Sequence, residues 1–316
     1  MTKISPTVYI VGAGPGDPEL LTVKALKLIE QADVLVYANS LVPSQILSAI
    51  RPTAEKIATA NMTLEDIVPL MVNRIKAGKS VVRLHSGDPS LYSAIHEQML
   101  RLSEAGVPFE VIPGISAFQA AAAKLQVELT IPAQVQSIIL TRISGRTQVP
   151  DTEELAGLAA HKTSLCLYLS ARHVAEAQAQ LIAHYAPETL VAICFRVGWP
   201  DEQIRVVPLS EMAATSEADN LVRTTLYIIS PALEHRRAID KPSKVSQGQI
   251  SRGQGLEKAE IGKKAVVRSQ LYNPTHTHLF RPKRQENADK QALCENEQRQ
   301  NEQQQNIQQE QEQAKK

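Results

Sequence analysis

Ile10-Val11-Gly12-Ala13-Gly14-Pro15-Gly16-Asp17-Pro18 is the stretch that decides the fold, because the apolar strand Val8 to Val11 runs straight into its glycine-rich turn. A dinucleotide fingerprint reads Gly-x-Gly-x-x-Gly, the third glycine allowing a helix to pack closely on the strand. Here Asp17 takes that third place. Asp33 lies about 20 residues on, where a ribose-binding acid is expected, but Pro15 and Pro18 remove backbone donors that a pyrophosphate requires. No Gly-x-x-x-x-Gly-Lys-Ser/Thr string occurs in the chain, which excludes a phosphate-binding loop of that type. The turn therefore suits a small ligand with few phosphates or none.

The same construction recurs downstream. Ser80 to Leu84 reads as a strand of β-branched and apolar residues and ends in His85-Ser86-Gly87-Asp88-Pro89-Ser90-Leu91-Tyr92, a second Gly-Asp-Pro turn. A third strand-like run, Phe109 to Ile112, ends in Pro113-Gly114-Ile115-Ser116-Ala117 and an alanine-rich segment to Lys124. Ligands of open α/β sheets bind outside the carboxyl ends of the strands. Three such ends with turn chemistry predict one crevice.

The coarse pattern predicts two α/β lobes with a cleft between them. In the first, strands at Val8 to Val11, Val34 to Tyr37, Val81 to Leu84 and Phe109 to Ile112 alternate with helical patterns such as Leu64, Ile67, Val68, Met71 and Ile75, giving a mainly parallel sheet. In the second, strands are expected at Ser137 to Thr141, Ser164 to Leu169, Leu190 to Phe195, Ile204 to Val207 and Thr224 to Ile229. A helix covers Ala171 to Tyr185, and another is opened by Asp151 with Glu154 as a capping box. The expected division is 1–116, 117–234 and 235–316, with the junction at Ala117 to Leu129 acting as the hinge.

Taken together, Gly12 to Thr22, Tyr37 to Val42, Arg83 to Ile95, Pro113 to Ala123 and Leu129 to Arg146 make the chain resemble the tetrapyrrole methylase family over residues 5 to 234. Asn39 departs from the glycine usual in the most similar members. The resemblance implies two α/β lobes that bind S-adenosylmethionine between them, a homodimer, and methyl transfer to a tetrapyrrole. It is strongest to members acting at C11 of precorrin-4 or cobalt-precorrin-4 in corrin-ring biosynthesis. Members acting at another ring carbon, or in the sirohaem branch, are the alternative within the family. Outside it stand a nucleotide-dependent oxidoreductase, for Gly12, Gly14 and Asp33, and a non-catalytic binding protein with the tail as its arm.

By matching position, the resemblance implies a donor site of Gly14, Pro15, Gly16, Gly87, Asp88, Leu91, Ser116 and Ala117, completed by Leu169, Val197, Thr225 and Leu226. The acceptor is a polycarboxylate, and arginine pairs with carboxylates through two parallel hydrogen bonds. Arg142, Arg146 and Arg196, which follow expected strands, are the candidate anchors, with Tyr37, Asn39, Ser40 and His85 lining the same trough. A solvated surface charge is the competing reading for each arginine, and a packing histidine for His85. For Gly87 and Asp88 it is a turn closed by a capping aspartate. The electron-rich ring carbon itself attacks the methyl group, so no activated serine or cysteine nucleophile is required, and no catalytic base is nominated because no motif demands one for the later loss of a proton.

Composition agrees with a two-lobed enzyme followed by a tail. Hydrophobic residues make up 43% of the 316. Beyond residue 234, however, apolar periodicity ends in the Gln-, Glu- and Asn-rich run Gln285 to Lys316, a composition that cannot offset chain entropy and predicts disorder. Residues 1–234 carry 18 Lys and Arg against 23 Asp and Glu, whereas the tail carries 16 against 10. Its bases are scattered without aromatic interleaving, so neither nucleic acid nor membrane is expected as a partner. Cys166 and Cys194 sit in apolar runs and read as small core residues, and Cys294 is isolated. His276 and His278 lack partner ligands, so no protein-bound metal is expected. With no secretory signal or long apolar span, a cytoplasmic setting is expected.

Overall fold

The computed structural model describes residues 4–234. The expected tail 235–316, with Cys294, His276 and His278, lies outside the described residues.

Two five-stranded sheets are formed. The first holds β1 (Val8–Gly12), β2 (Val34–Tyr37), β3 (Glu55–Ala58), β4 (Val81–His85) and β5 (Phe109–Ile112) in the order β3-β2-β4-β1-β5. All its pairings are parallel. The crossover helices are α1 (Val23–Gln31), α2 (Leu64–Lys76) and α3 (Ile95–Glu104). Strand side chains alternate between faces: Tyr9, Val11, Leu35, Val82 and Leu84 pack with Ala25, Leu28 and Ile29 of α1, while Val8, Ile10, Val34, Val36 and Val81 pack with α2 and with Leu102 of α3. Burial on both faces explains the unbroken apolar runs of β1 and β2. β3, Glu-Lys-Ile-Ala, was not expected; it is a short edge strand carrying charges.

α4 (Ala117–Leu125) starts at a capping box in which the Ser116 amide donates to Gln119 Oε1 at 2.9 Å. Its Ala120, Ala121 and Leu125 are buried against Cys166, Ala192, Cys194, Leu226 and Ile228. The segment expected to serve as a hinge is thus largely a helix packed into the core of the second sheet. That sheet comprises β6 (Ile138–Arg142), β7 (Ser164–Tyr168), β8 (Leu190–Phe195), β9 (Gln203–Pro208) and β10 (Thr225–Ile229), ordered β6-β7-β10-β8-β9. β6 and β7 are parallel, and β10 runs antiparallel to both β7 and β8. The other face is covered by α5 (Leu155–Ala159), α6 (Val174–Ile182) and α7 (Met212–Ala218). The capping box expected at Asp151 does not form. Asp151–Glu153 is a single 3-10 turn, and Ser144 Oγ instead donates to Glu154 at 3.3 Å while accepting from the Val149 amide at 3.1 Å.

Asp33 has a structural place. It precedes β2, at the opposite end of the sheet from the glycine turns, and its carboxylate accepts from the Ser80 amide and hydroxyl at 2.9 Å each and pairs with Arg51. A ribose acid would have to stand at the carboxyl edge, so the dinucleotide reading loses its acid. Asp33→Ala strands the buried Ser80 amide and is expected to cost about 1–3 kcal/mol in urea unfolding. Ligand affinity at the carboxyl edge should be unchanged in calorimetry; a loss there would contradict the purely structural role.

Candidate active site

The carboxyl ends of β1, β4 and β5 converge because Gly12 and Gly114 carry no Cβ and let the backbones touch. A Cβ on Gly12 would lie 2.6 Å from Gly114 Cα and 2.8 Å from the Gly87 carbonyl oxygen. One on Gly114 would lie 2.8 Å from Gly12 Cα and nearer still to the Gly87 carbonyl. Gly14 and Gly87 exchange hydrogen bonds in both directions, at 3.2 and 2.7 Å, and the Ala13 amide donates to the His85 carbonyl at 2.7 Å. Asp88 fastens the second turn to the third: one carboxylate oxygen accepts from the Gly114 amide at 2.8 Å, the other from the Ser90 amide at 2.9 Å and from the Ser90 hydroxyl. Asp17 closes the first turn in the same way, accepting from the Glu19 amide at 2.9 Å.

The second sheet meets these turns at two points. Trp199 Nε1 donates to the Pro15 carbonyl at 3.2 Å, and Gln45 Nε2 bridges the carbonyls of Gly16 and Gly198 at 2.6 and 3.0 Å. On the third turn, the hydroxyls of Ser116 and Tyr168 are 2.8 Å apart, and the Phe118 amide donates to Tyr168 Oη at 3.2 Å. The Tyr168 ring lies 5.2 Å from that of Tyr92.

These elements enclose a cavity of about 530 Å³, within the usual range for small-molecule sites. All the residues expected at the donor site line it except Gly14 and Gly16. Gly14 is engaged in the bridge to Gly87, and Gly16 is packed against the Trp199 ring, where a Cβ would come within 2.5 Å. Because β10 is antiparallel to its neighbours, the second sheet offers the carboxyl ends of β7 and β8 together with the amino end of β10. A second cavity, of about 660 Å³, opens beside α6 and α7 and meets the first at Ala171, Arg172 and Val222. No glycine turn reaches it.

Of the expected acceptor residues, His85 lines the cavity and the others do not. After β2 the chain turns so that the Leu41 and Val42 amides both donate to Ala38, at 2.9 and 3.0 Å. That turn brings Ala38 and Leu41 to the lining in place of Tyr37, Asn39 and Ser40. Arg142 braces its own loop, donating to the carbonyls of Thr147 and Gln148 at 2.8 and 2.9 Å, and Arg146 is exposed on that loop. Arg196 pairs with Asp201 and lies over the rings of Phe195 and Trp199, 5.1 and 5.0 Å from their centroids. The arginines that do line the cavity are Arg83, Arg172 and Arg223.

Burial shapes the titration of the lining. It pushes Arg83 down to about 10, and burial together with the Arg83 charge pushes His85 down to about 3, so the imidazole is neutral near pH 7. Burial pushes Tyr168 up to about 12 against the opposing hydrogen bonds from Ser116 and Phe118. Strained backbone gathers here as well. Tyr92, Ala94, Leu169 and Thr224 line the cavity with φ of 55°, 48°, 54° and 55°, and Arg196, at 47°, precedes Val197. Left-handed non-glycine residues cost about 1–3 kcal/mol each and concentrate at ligand sites. Among the described residues, no group of three or more His, Cys, Asp or Glu side chains is placed to hold a metal ion.

A cleft between two α/β sheets, floored by glycine turns at strand ends, is the architecture that the resemblance implies. The family model for Tetrapyrrole (Corrin/Porphyrin) Methylases matches residues 7–213, and the chain belongs to that family. It is 42% identical over 275 residues to the cobalt-precorrin-4 C(11)-methyltransferase of Priestia megaterium, spanning 87% of this chain and 97% of the relative. To the precorrin-4 C(11)-methyltransferase of Pseudomonas aeruginosa it is 39% identical over 277 residues, or 87% and 99% of the two chains. Among solved structures, a cobalt precorrin-4 methyltransferase of cobalamin biosynthesis matches with a TM-score of 0.70 and 41% identity, over 72% of this chain and 96% of the other. Uroporphyrin-III C-methyltransferase from Thermus thermophilus, complexed with S-adenyl homocysteine, matches with a TM-score of 0.60 and 30% identity, over 72% and 93%.

Two outcomes test the construction of the turns. Gly114→Ala forces the β1 and β4 turns apart and is expected to cost about 3 kcal/mol of stability, the upper end for overpacking, read as a lowered thermal midpoint. For Asp88, burial alone would raise the carboxyl, but the hydrogen bonds from Ser90 and Gly114 outweigh it and hold it below the ordinary 3.8. A depressed folded-state value gives stability that is present above the unfolded value and is lost as pH falls through the folded one. The stability difference between the wild type and Asp88→Asn should therefore be constant above about pH 5 and close in stronger acid; a difference independent of pH throughout would show that the Asp88 charge plays no part.

Proposed function

We propose that this chain transfers the methyl group of S-adenosylmethionine to C11 of precorrin-4, or of cobalt-precorrin-4, in the assembly of the corrin ring for cobalamin. The observation that carries the reading is the cavity at the strand ends, lined by nearly all the positions that the family resemblance assigns to the donor. It occurs in a chain about 40% identical, over most of its length, to relatives named for that reaction. The division into lobes at 116/117, the homodimer and the cytoplasmic setting belong to the same reading.

The lining suits an amphipathic donor. Leu91, Ala117, Leu169, Val197 and Leu226 offer apolar walls, while Gly87, Ser116 and Thr225 contribute polar backbone or hydroxyl groups. When bound, S-adenosylmethionine supplies a methyl group already activated by its sulfonium. The protein's part is to hold donor and acceptor in line, and such alignment is worth up to about 7–11 kcal/mol. Among the described residues lining the cavity no strong base is free: the Asp88 carboxylate is engaged by Gly114 and Ser90, and His85 has lost its basicity through burial and the Arg83 charge. The acceptor would lie over the mouth, where Leu41, Tyr92, Leu169 and Val222 expose large apolar side chains suited to a flat macrocycle. Arg172 and Arg223 at the exposed rim would pair with its carboxylates. Any cobalt arrives as part of the substrate.

Calorimetry of the full chain should show saturable S-adenosylmethionine binding and none of NADH; the reverse would return the chain to the oxidoreductase reading. With a 13C-methyl donor and precorrin-4 or cobalt-precorrin-4 as acceptor, the label should appear on C11. Label on another carbon would move the chain to a different member activity of the family.

A further inference from the structure

Among the described residues, Arg83 is a buried cation without a counter-anion. It lies on β4, is 7% exposed, and its hydrogen-bond partner among the described residues is Thr59, whose Oγ1 accepts from Nη1 at 2.9 Å. Its Nε is buried with no partner, and so is Nε2 of His85, two residues along the same strand and 8% exposed. Both side chains line the cavity. Among the described residues no acidic side chain pairs with Arg83, although Arg51, Arg74, Arg196 and Arg205 each have one. Asp88, the one acid in the lining, is held by Gly114 and Ser90.

A buried guanidinium with unused donors is costly unless an anion completes it. Nothing in the fold requires the charge there: Thr59 is held independently, its amide donating to the Tyr37 carbonyl at 2.9 Å. His85 is neutral, so the net charge at this end of the cavity comes from Arg83. A carboxylate is the anion whose two oxygens match a guanidinium edge.

We propose that Arg83, with His85 beside it, is a carboxylate-binding subsite in the wall of the cavity, taking a carboxylate of one of the two reactants. The inference rests on the methyltransferase reading above. That reading offers two sources of the same chemistry: the amino-acid end of the donor, or an acetate or propionate side chain of the tetrapyrrole.

The experiment uses full-length wild type, Arg83→Met and Arg83→Lys. Dissociation constants are measured for S-adenosylhomocysteine and for its decarboxylated analogue, and kcat and KM for precorrin-4. Loss of a charge-assisted pair corresponds to about 10- to 100-fold in affinity. If the donor supplies the carboxylate, Arg83→Met weakens S-adenosylhomocysteine by that factor and leaves the decarboxylated analogue unchanged. If the acceptor supplies it, both dissociation constants stay at wild-type values, KM for precorrin-4 rises by a similar factor, and Arg83→Lys recovers a large part of it. The subsite is overturned if Arg83→Met binds both reactants like wild type, if it weakens the two donor analogues equally, or if Arg83→Lys shows the same KM defect as Arg83→Met. The thermal midpoint without ligand is a further readout: Arg83→Met should match or exceed wild type, since it removes an uncompensated charge, whereas a lower midpoint with unchanged ligand constants would mean a structural role and overturn the proposal. A wild-type chain that neither binds S-adenosylhomocysteine nor methylates precorrin-4 would sink the methyltransferase reading itself, and the subsite with it.

Discussion

The contact among the backbones of Gly12, Gly87 and Gly114 is the constraint on which the rest of the site depends. With no side chain at Gly12 or Gly114, the turns after β1 and β5 stack on each other and on the Gly87 carbonyl at separations that a Cβ on either would break. That contact lets Asp88 reach the Gly114 amide and lets Gly14 and Gly87 pair. It also fixes where Ser116 presents its hydroxyl to Tyr168. The second sheet is positioned on this platform through polar contacts to main chain: Trp199 to the Pro15 carbonyl, Tyr168 to the Phe118 amide, and Gln45 from the first sheet's side to the Gly198 carbonyl. Much of the cavity is therefore shaped by backbone, which side-chain replacement elsewhere leaves in place.

Charge in the cavity runs opposite to charge in the surrounding protein. Residues 1–234 carry more acids than bases, yet Arg83, Arg172 and Arg223 line the cavity and its one acid is committed to the turns. A cation in a low-dielectric wall is felt more strongly than one on the surface. The lining thus favours anions without requiring a basic protein, so bulk composition says little about what the site attracts.

The parallel half of the molecule was readable in the sequence for a physical reason. Strands buried on both faces appear as continuous apolar runs, and close backbone contact leaves glycine at the strand ends. β3 was missed because it is a short, charged edge strand. The donor-site positions in the second sheet, such as Leu169 and Val197, were reached only through family resemblance; left-handed backbone at Leu169 and Arg196 has no residue signature when glycine is absent. Arg172 and Arg223 escaped because the reading looked for arginines after strands, whereas Arg223 precedes the antiparallel β10 and Arg172 lies in the turn leading into α6. Arg142 and Arg196 met that criterion but are spent on a loop and on Asp201. Spacing shows where a charge sits along the chain and not which neighbour has already claimed it.

Trp199 gives the molecule a built-in optical reporter. It is the chain's single tryptophan, and it sits at the seam: its indole N–H is held by Pro15, its ring lies against Gly16, and the Arg196 guanidinium lies 5.0 Å from the ring centroid. Indole emission responds to hydrogen bonding and to nearby charge. A shift of the first glycine turn against the second sheet would therefore register in the intrinsic fluorescence of the unlabelled protein, without competition from another tryptophan.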